Sequence, residues 1–139
     1  MRLVHDASMT LAWLFERDTP QESNLADRVL GALQDDEAHV PWLWHTEVVN
    51  ALLVAERRGL LTEAHAIEYL SRLSALPIIT DDVSPSARRD AMMGLAREHG
   101  LTAYDATYLE LALRLGAVVA TFDRRLAEAV DRAGGSVLR

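Results

Sequence analysis

The chain has 139 residues, 50% of them hydrophobic and 25% charged, with a formal net charge of −7, no cysteine and arginine as its sole strongly basic side chain. This is the composition of an ordinary globular protein, expected to form a single domain over residues 1–139 whose core needs neither disulfide nor structural metal, and it excludes thiol catalysis and Cys-ligated zinc. The acidic balance argues against nucleic-acid binding through a broad basic face, which depends on many phosphate contacts, but leaves open a nucleic-acid enzyme that brings its positive charge as a bound metal.

In chain order, Leu3-Val4-His5 is a short apolar run that stops at Asp6, and Ala7-Ser8 leads into the helical Met9–Phe15 stretch. This reads as strand, tight turn and helix. Thr19 and Pro20 are a cap and a first helical residue for a second helix carrying Leu25, Val29, Leu30 and Leu33. Ala38-His39-Val40-Pro41 is a brief second strand. From Trp42 or Trp44 to about Arg58 a stripe of Trp44, Val48, Ala51, Leu52 and Ala55 predicts a helix with Glu47 in its first turn, stopped by Gly59. Thr62-Glu63 starts another helix with Ala66, Ile67, Leu70 and Leu73 inward, and Pro77-Ile78-Ile79-Thr80 is a β-branched third strand.

Ser84-Pro85 opens a helix whose inner face is expected to carry Ala87, Ala91, Met92 and Leu95, up to His99-Gly100. Leu101–Asp105 leads into a helix with Ala106, Leu109, Leu113 and Leu115, closed by Gly116. Ala117–Thr121 is the clearest strand, followed at once by Phe122-Asp123 and a helix with Leu126, Ala129 and Val130; Ser136-Val137-Leu138 is a candidate last strand. Short apolar strands without alternation, separated by helices, predict a three-layer α/β/α sandwich around a mostly parallel central sheet of four to five strands. No segment approaches the roughly 20 apolar residues of a membrane span, and the N-terminal residues lack a leader pattern, so a cytoplasmic protein without membrane association is expected.

Four carboxylates hold comparable positions: Asp6 after the first strand, Glu47 and Asp105 early in helices, and Asp123 after the strongest strand. Singly, each has a plain explanation. Asp6 and Asp123 suit helix caps, Thr102-x-x-Asp105 fits a capping box, and a helix start favours Glu47. Jointly they suggest more. If the Asp6 strand is central with the Asp123 strand beside it, both acids emerge at one sheet edge, where ligands of open α/β sheets gather, and the two helix acids need only face it. Carboxylates about 4 Å apart repel by roughly 4 kcal/mol at an effective dielectric of 20, so such a cluster requires a proton, a cationic side chain or a metal. Oxygen-only ligation suits Mg²⁺ or Mn²⁺ rather than zinc, and a carboxylate-held ion is a standard way to cleave a phosphodiester. The spacing does not distinguish one ion from two.

Other chemistries lack their residues. There is no Gly-rich phosphate loop and no G-x-S-x-G elbow. A receiver-type phosphoacceptor site would need a lysine, a haloacid-dehalogenase-like phosphatase would need an acid where Ser8 stands, and His5, His39, His45, His65 and His99 have no metal-ligand spacing; most of these histidines are expected at the surface or its boundary.

Val4-His5-Asp6-Ala7-Ser8, His45-Thr46-Glu47-Val48-Val49-Asn50-Ala51-Leu52, Leu101–Ala106 and Ala120-Thr121-Phe122-Asp123-Arg124-Arg125-Leu126 together resemble a PIN domain, specifically the VapC-type toxin ribonucleases of type II toxin–antitoxin systems. The resemblance runs nearly end to end, with His5 where the family usually has an apolar residue. It implies a Mg²⁺- or Mn²⁺-dependent endoribonuclease whose catalytic and metal-binding acids are Asp6, Glu47, Asp105 and Asp123, the last directly or through water. It further implies Ser8 and Thr121 as hydrogen-bonding supports, Asn50 as a residue lining the pocket, Arg124 and Arg125 as contacts to an RNA substrate, a cognate antitoxin, and a homodimer. Trp13, Phe15, Trp42 and Trp44 are candidates for a partner surface. A non-catalytic PIN-like binding module, or a nuclease or phosphatase acting on another phosphate ester, is the alternative.

Overall fold

Five strands line up in parallel to form the centre of the molecule, the first four followed at once by Asp6, Pro41, Asp81 and Thr121. The computed structural model describes residues 1–139, and its strands are β1 (Arg2–His5), β2 (Glu37–Val40), β3 (Ile78–Thr80), β4 (Val118–Ala120) and β5 (Ser136–Val137), in the spatial order β3-β2-β1-β4-β5. All four pairings are parallel, and β1 is central, with Leu3, Val4 and His5 in register with Val118, Val119 and Ala120 of β4. Parallel strands require crossovers, and helices supply them on both faces, giving the α/β/α sandwich expected from the alternation of short apolar runs with helical periodicity.

The helices are α1 (Ala7–Leu11), α2 (Pro20–Ala32), α3 (Trp42–Arg57), α4 (Glu63–Ser74), α5 (Arg89–His99, preceded by a 3-10 turn over Pro85–Arg88), α6 (Ala103–Leu115) and α7 (Arg124–Arg132). Their starts follow side-chain chemistry: Asp6, Thr19, Thr62, Thr102 and Asp123 each accept a backbone N–H of the first turn. Gly116 ends α6 with φ 60°, a left-handed conformation that glycine adopts without penalty, and turns the chain into β4 within two residues. No helix is long and apolar enough to cross a membrane.

The largest core cluster joins Val4 and Val119 of the sheet to Trp44, Val48 and Leu52 of α3, Tyr69 and Leu73 of α4, Leu109 of α6 and Leu126 and Val130 of α7. Smaller clusters tie α2 to the sheet through Val29 with Met9 and Ala120, and through Leu33 with Leu3 and Ala38. Burial of these side chains, at roughly 25 cal/mol per Å² of apolar surface, is what fixes β1 and β4 beside each other and so fixes the acids at their ends.

Several details depart from the sequence expectations. Ala87, which lies in the 3-10 turn and out of phase with the helix after it, is exposed; Ala91 is exposed at the edge of the α5 stripe, and Met92 and Leu95 form its half-buried face. In α4 the third inward residue is Tyr69, whose hydroxyl donates to the Thr10 carbonyl, while Ile67 and Leu70 face outward. Glu47 lies in the second turn of α3, since that helix begins at Trp42. His5 is fully buried rather than a boundary residue. Of the aromatics proposed as partner surface, Trp44 is only 4% exposed and Trp13 and Phe15 are half-buried, which leaves Trp42, at 64% exposure.

Candidate active site

Asp6 ends β1 and caps α1 at once. Its Oδ1 accepts from the Met9 backbone N–H at 3.0 Å and from the Ser8 hydroxyl at 2.7 Å, and its Oδ2 accepts from the Thr121 hydroxyl. Thr121 follows β4 immediately, so the register of β1 with β4 is what brings it to Asp6. The same Thr121 oxygen accepts the Asp123 backbone N–H at 3.0 Å, and Asp123 Oδ1 caps α7 by accepting the Leu126 N–H at 3.2 Å. Capping and site geometry thus coexist in Asp6 and Asp123: the hydrogen bonds that start each helix also aim the remaining carboxylate lone pairs outward.

Glu47 comes from α3 and Asp105 from the first turn of α6, where the Thr102 hydroxyl accepts the Asp105 N–H at 3.1 Å. The Tyr108 hydroxyl donates to Glu47 Oε1. Tyr108 lies three residues after Asp105, so one face of α6 delivers both. Asp6, Ala7, Ser8, Glu47, Asp105, Tyr108, Phe122 and Asp123 line a single open cavity of about 350 Å³ beyond the carboxyl ends of β1 and β4.

Burial and mutual repulsion act together on these acids. Burial raises the Asp6 carboxyl above the usual range against the pull of its three hydrogen bonds, with the Asp123 charge adding to the rise. Glu47 is raised by burial and by Asp6, the Tyr108 hydrogen bond opposing. Asp105 is raised by burial and then by the charges of Asp123, Asp6 and Glu47 in turn, so it lies within electrostatic reach of all three. Tyr108, desolvated and hydrogen-bonded to Glu47, is held firmly protonated.

No three His, Asp or Glu side chains are drawn together tightly enough to hold a metal ion as they stand. The acids ring the cavity rather than form a closed cage. That arrangement fits Mg²⁺ or Mn²⁺, which keep several waters and need only one or two carboxylates directly, and it does not fit zinc, because no histidine lines the cavity. Asp6, Glu47, Asp105 and Asp123 are the residues that would hold such an ion.

Ser8 and Thr121 both donate to Asp6. Asn50, one turn beyond Glu47, is exposed on α3 and is not part of the cavity wall. Arg124 and Arg125 are exposed at the start of α7 and make no ion pair. Sequence reasoning missed Tyr108, although its i, i+3 spacing from Asp105 was available, and missed Arg17, whose guanidinium sits 4.2 Å from the centre of the Phe122 ring at the cavity wall. Nothing in the local sequence around Arg17 signals that contact.

A family model described as the PIN domain matches residues 3–132. The chain belongs to the PIN domain family. A Pyrobaculum aerophilum protein named Ribonuclease VapC3 is 39% identical over 133 residues, covering 92% of this chain and 94% of that protein. Within the PIN family the chain is of the VapC type. Ribonuclease VapC1 of Mycobacterium tuberculosis is 34% identical over 100 residues, 71% of this chain and 72% of that one. Among solved structures, that of PAE2754 from Pyrobaculum aerophilum superposes with a TM-score of 0.69 at 26% identity, covering 93% of this PIN domain chain and 84% of that one. FitAcB from Neisseria gonorrhoeae, at TM-score 0.57 and 20% identity over 99% and 96% of the two chains, shares the fold.

Proposed function

We propose that this PIN domain is a Mg²⁺- or Mn²⁺-dependent endoribonuclease and the toxin of a toxin–antitoxin pair, cleaving RNA at the Asp6, Glu47, Asp105 and Asp123 cavity. The observation that carries this is the electrostatic state of the cavity: four acids from four separate elements, three of them with raised pKa values, face one another with no cationic side chain among them. Relatives named as ribonucleases support RNA as the substrate.

A bound divalent ion would supply Lewis-acid stabilisation of the charge that develops on the phosphate and would make nearby water more acidic. The chain's own groups do the rest. Asp6 is locked by three donors before substrate arrives, so its free lone pairs are aimed at no cost in reorganisation. Tyr108 holds Glu47 in the same way. Asp105, raised by burial and then by the charges of its three neighbours, completes the acidic set that such an ion would neutralise. Arg124 and Arg125, exposed directly after Asp123 and without ion pairs, offer positive charge to the RNA backbone, whereas Arg17, over the Phe122 ring, is paired with Glu22.

The VapC type also implies an antitoxin that covers this cavity, a homodimer and a cytoplasmic setting. The test is cleavage of matched single-stranded RNA and DNA with Mn²⁺ or a chelator. The wild type should cut RNA with Mn²⁺ alone, and Asp6→Asn should lose that cleavage while keeping its fold; cleavage by Asp6→Asn at the wild-type rate would show the assignment to be wrong.

A further inference from the structure

A second cavity of about 270 Å³ opens beside the acid cavity, on the far side of α6. Its mouth is flanked by the two most exposed aromatic side chains, Trp42 at 64% and Tyr104 at 63%, and its wall contains Arg88, Glu110, Asp81 and Thr107. We propose that this cavity is a nucleobase subsite: a base of the RNA strand, near the phosphate being cut, unstacks into it and is held by Trp42 and Tyr104. This rests on reading the acid cavity as the cleavage site.

Position is the first support. Asp81 directly follows β3 and Pro41-Trp42 directly follow β2, whereas Asp6 follows β1 and Thr121 to Asp123 follow β4, and these strands are contiguous in the order β3-β2-β1-β4. The two cavities are therefore neighbours along one sheet edge, separated by about two strand spacings, roughly 10 Å. Helix α6 is their common wall. Asp105 and Tyr108 face the acids, while Tyr104, Thr107 and Glu110 face the second cavity. Trp42 and Glu47 divide α3 between the two in the same way. A strand that crosses the acids toward β2 and β3 passes this opening.

The chemistry of the wall is the second support. Arg88 Nη1 donates to Glu110 Oε1 at 3.0 Å, and Arg114 donates to Glu110 Oε1 at 2.8 Å and to Asp81 Oδ2 at 2.7 Å. Two arginines offset two carboxylates, so the wall offers no net charge to attract a phosphate. The open lining is instead mostly apolar, from Pro41, Trp42, Leu43, Val83, Met92 and Leu111, with Arg88, Glu110 and Asp81 at its polar margin, which favours a flat ring over a charged group. Every nucleobase carries a donor beside an acceptor on its pairing edge and flat π faces for aromatic side chains, and single-stranded RNA is recognised through these features. The rings of Trp42 and Tyr104 are not stacked on each other; the aromatic neighbour of Trp42 is His45, tilted by 51° at a centroid distance of 6.3 Å, and both side chains remain exposed. The volume lies just under the roughly 300 Å³ at which drug-sized pockets begin, suited to one ring system rather than a whole nucleotide.

The experiment measures binding by fluorescence anisotropy in the Asp6→Asn full chain with Mn²⁺, using a labelled single-stranded RNA of randomised sequence and an abasic ribose-phosphate strand of equal length. Trp42→Ala and Tyr104→Ala should each weaken RNA binding about tenfold, as loss of base–aromatic stacking does, and leave the abasic strand's affinity as it was. Trp42→Phe and Tyr104→Phe should recover most of the RNA affinity. Unchanged RNA binding overturns the proposal, as does an equal loss for both strands. A fall in molecular mass by light scattering in the alanine variants would assign these rings to a protein interface and also overturn it. If Asp6→Asn alone still cuts RNA like the wild type, the cleavage-site reading fails, whatever the two strands do.

Discussion

The hydroxyl of Thr121, at the end of β4, donates to Oδ2 of Asp6, at the end of β1, across two strands paired in register. One side chain thereby ties the sheet's pairing to the orientation of the acid at the centre of the cavity. Thr121→Val keeps the shape and removes the donor, leaving a half-buried carboxylate oxygen without this partner and the Asp123 N–H without its acceptor. The expected loss is about 1–3 kcal/mol in urea unfolding. Because that hydrogen bond holds the Asp6 pKa down, the acid limb of the cleavage profile should also move to higher pH. Thr121→Ser retains the hydroxyl and should restore both.

Repulsion among the acids destabilises the ion-free protein. A carboxyl whose folded pKa is raised costs stability above that pKa, and the cost is relieved as pH falls toward and below its unfolded value. Asp105, raised by burial and then by all three neighbours, should show this. Asp105→Asn should raise the melting temperature in chelator at neutral pH by about 2–4 °C, the shift expected for some 1 kcal/mol in a chain of this size. Differential scanning fluorimetry would read it. Added Mn²⁺ should stabilise the wild type more than the variant.

Tyr108 donates to Glu47 and thereby opposes the burial that raises the Glu47 pKa. Tyr108→Phe should raise that pKa further and loosen the side chain. RNA cleavage should then fall about tenfold near neutral pH, within the range for loss of one orienting donor, and recover partly at higher pH. Circular dichroism should show an unchanged fold.

His5 is buried between the edges of Trp13 and Trp44, at centroid distances of 5.3 and 5.8 Å, with Nδ1 3.0 Å from the Thr10 hydroxyl oxygen. Burial lowers its pKa from 6.5 to about 4. Between those values the unfolded chain binds the proton and the folded chain does not, so His5 costs stability as pH drops through this window and nothing above it. The loss from about pH 7 to about pH 5 amounts to roughly 2 kcal/mol. The raised carboxyls act in the opposite direction, so the measurable quantity is a difference. Urea unfolding of His5→Leu should vary less steeply with pH over that window than unfolding of the wild type.

The sheet was legible because its first four strands are short apolar runs halted by Asp6, Pro41, Asp81 and Thr121, and Asp6, Thr121 and Asp123 sit at or just beyond two of those halts. Asp105 was legible through its cap, Thr102. Tyrosines were overlooked because a polar tip excludes them from an apolar stripe, yet Tyr69 and Tyr108 are both buried and each hydroxyl reaches a partner about 60 residues away in sequence. The Arg88–Glu110–Arg114–Asp81 network escaped notice for a similar reason: its links from Asp81 to Arg114 and from Arg88 to Glu110 join segments that only the fold brings together. On the α5 segment Met92 and Leu95 are placed as expected, and Ala87 was misplaced because an α-helical period was carried through a 3-10 turn, where side chains three apart eclipse.

The claim that these four acids form one divalent-metal site is tested most directly by titration calorimetry of Mn²⁺ into the wild type and Asp6→Asn. The wild type should give a saturable heat that Asp6→Asn loses. A wild type that gives no such heat, or an Asp6→Asn that reproduces it, would contradict the account.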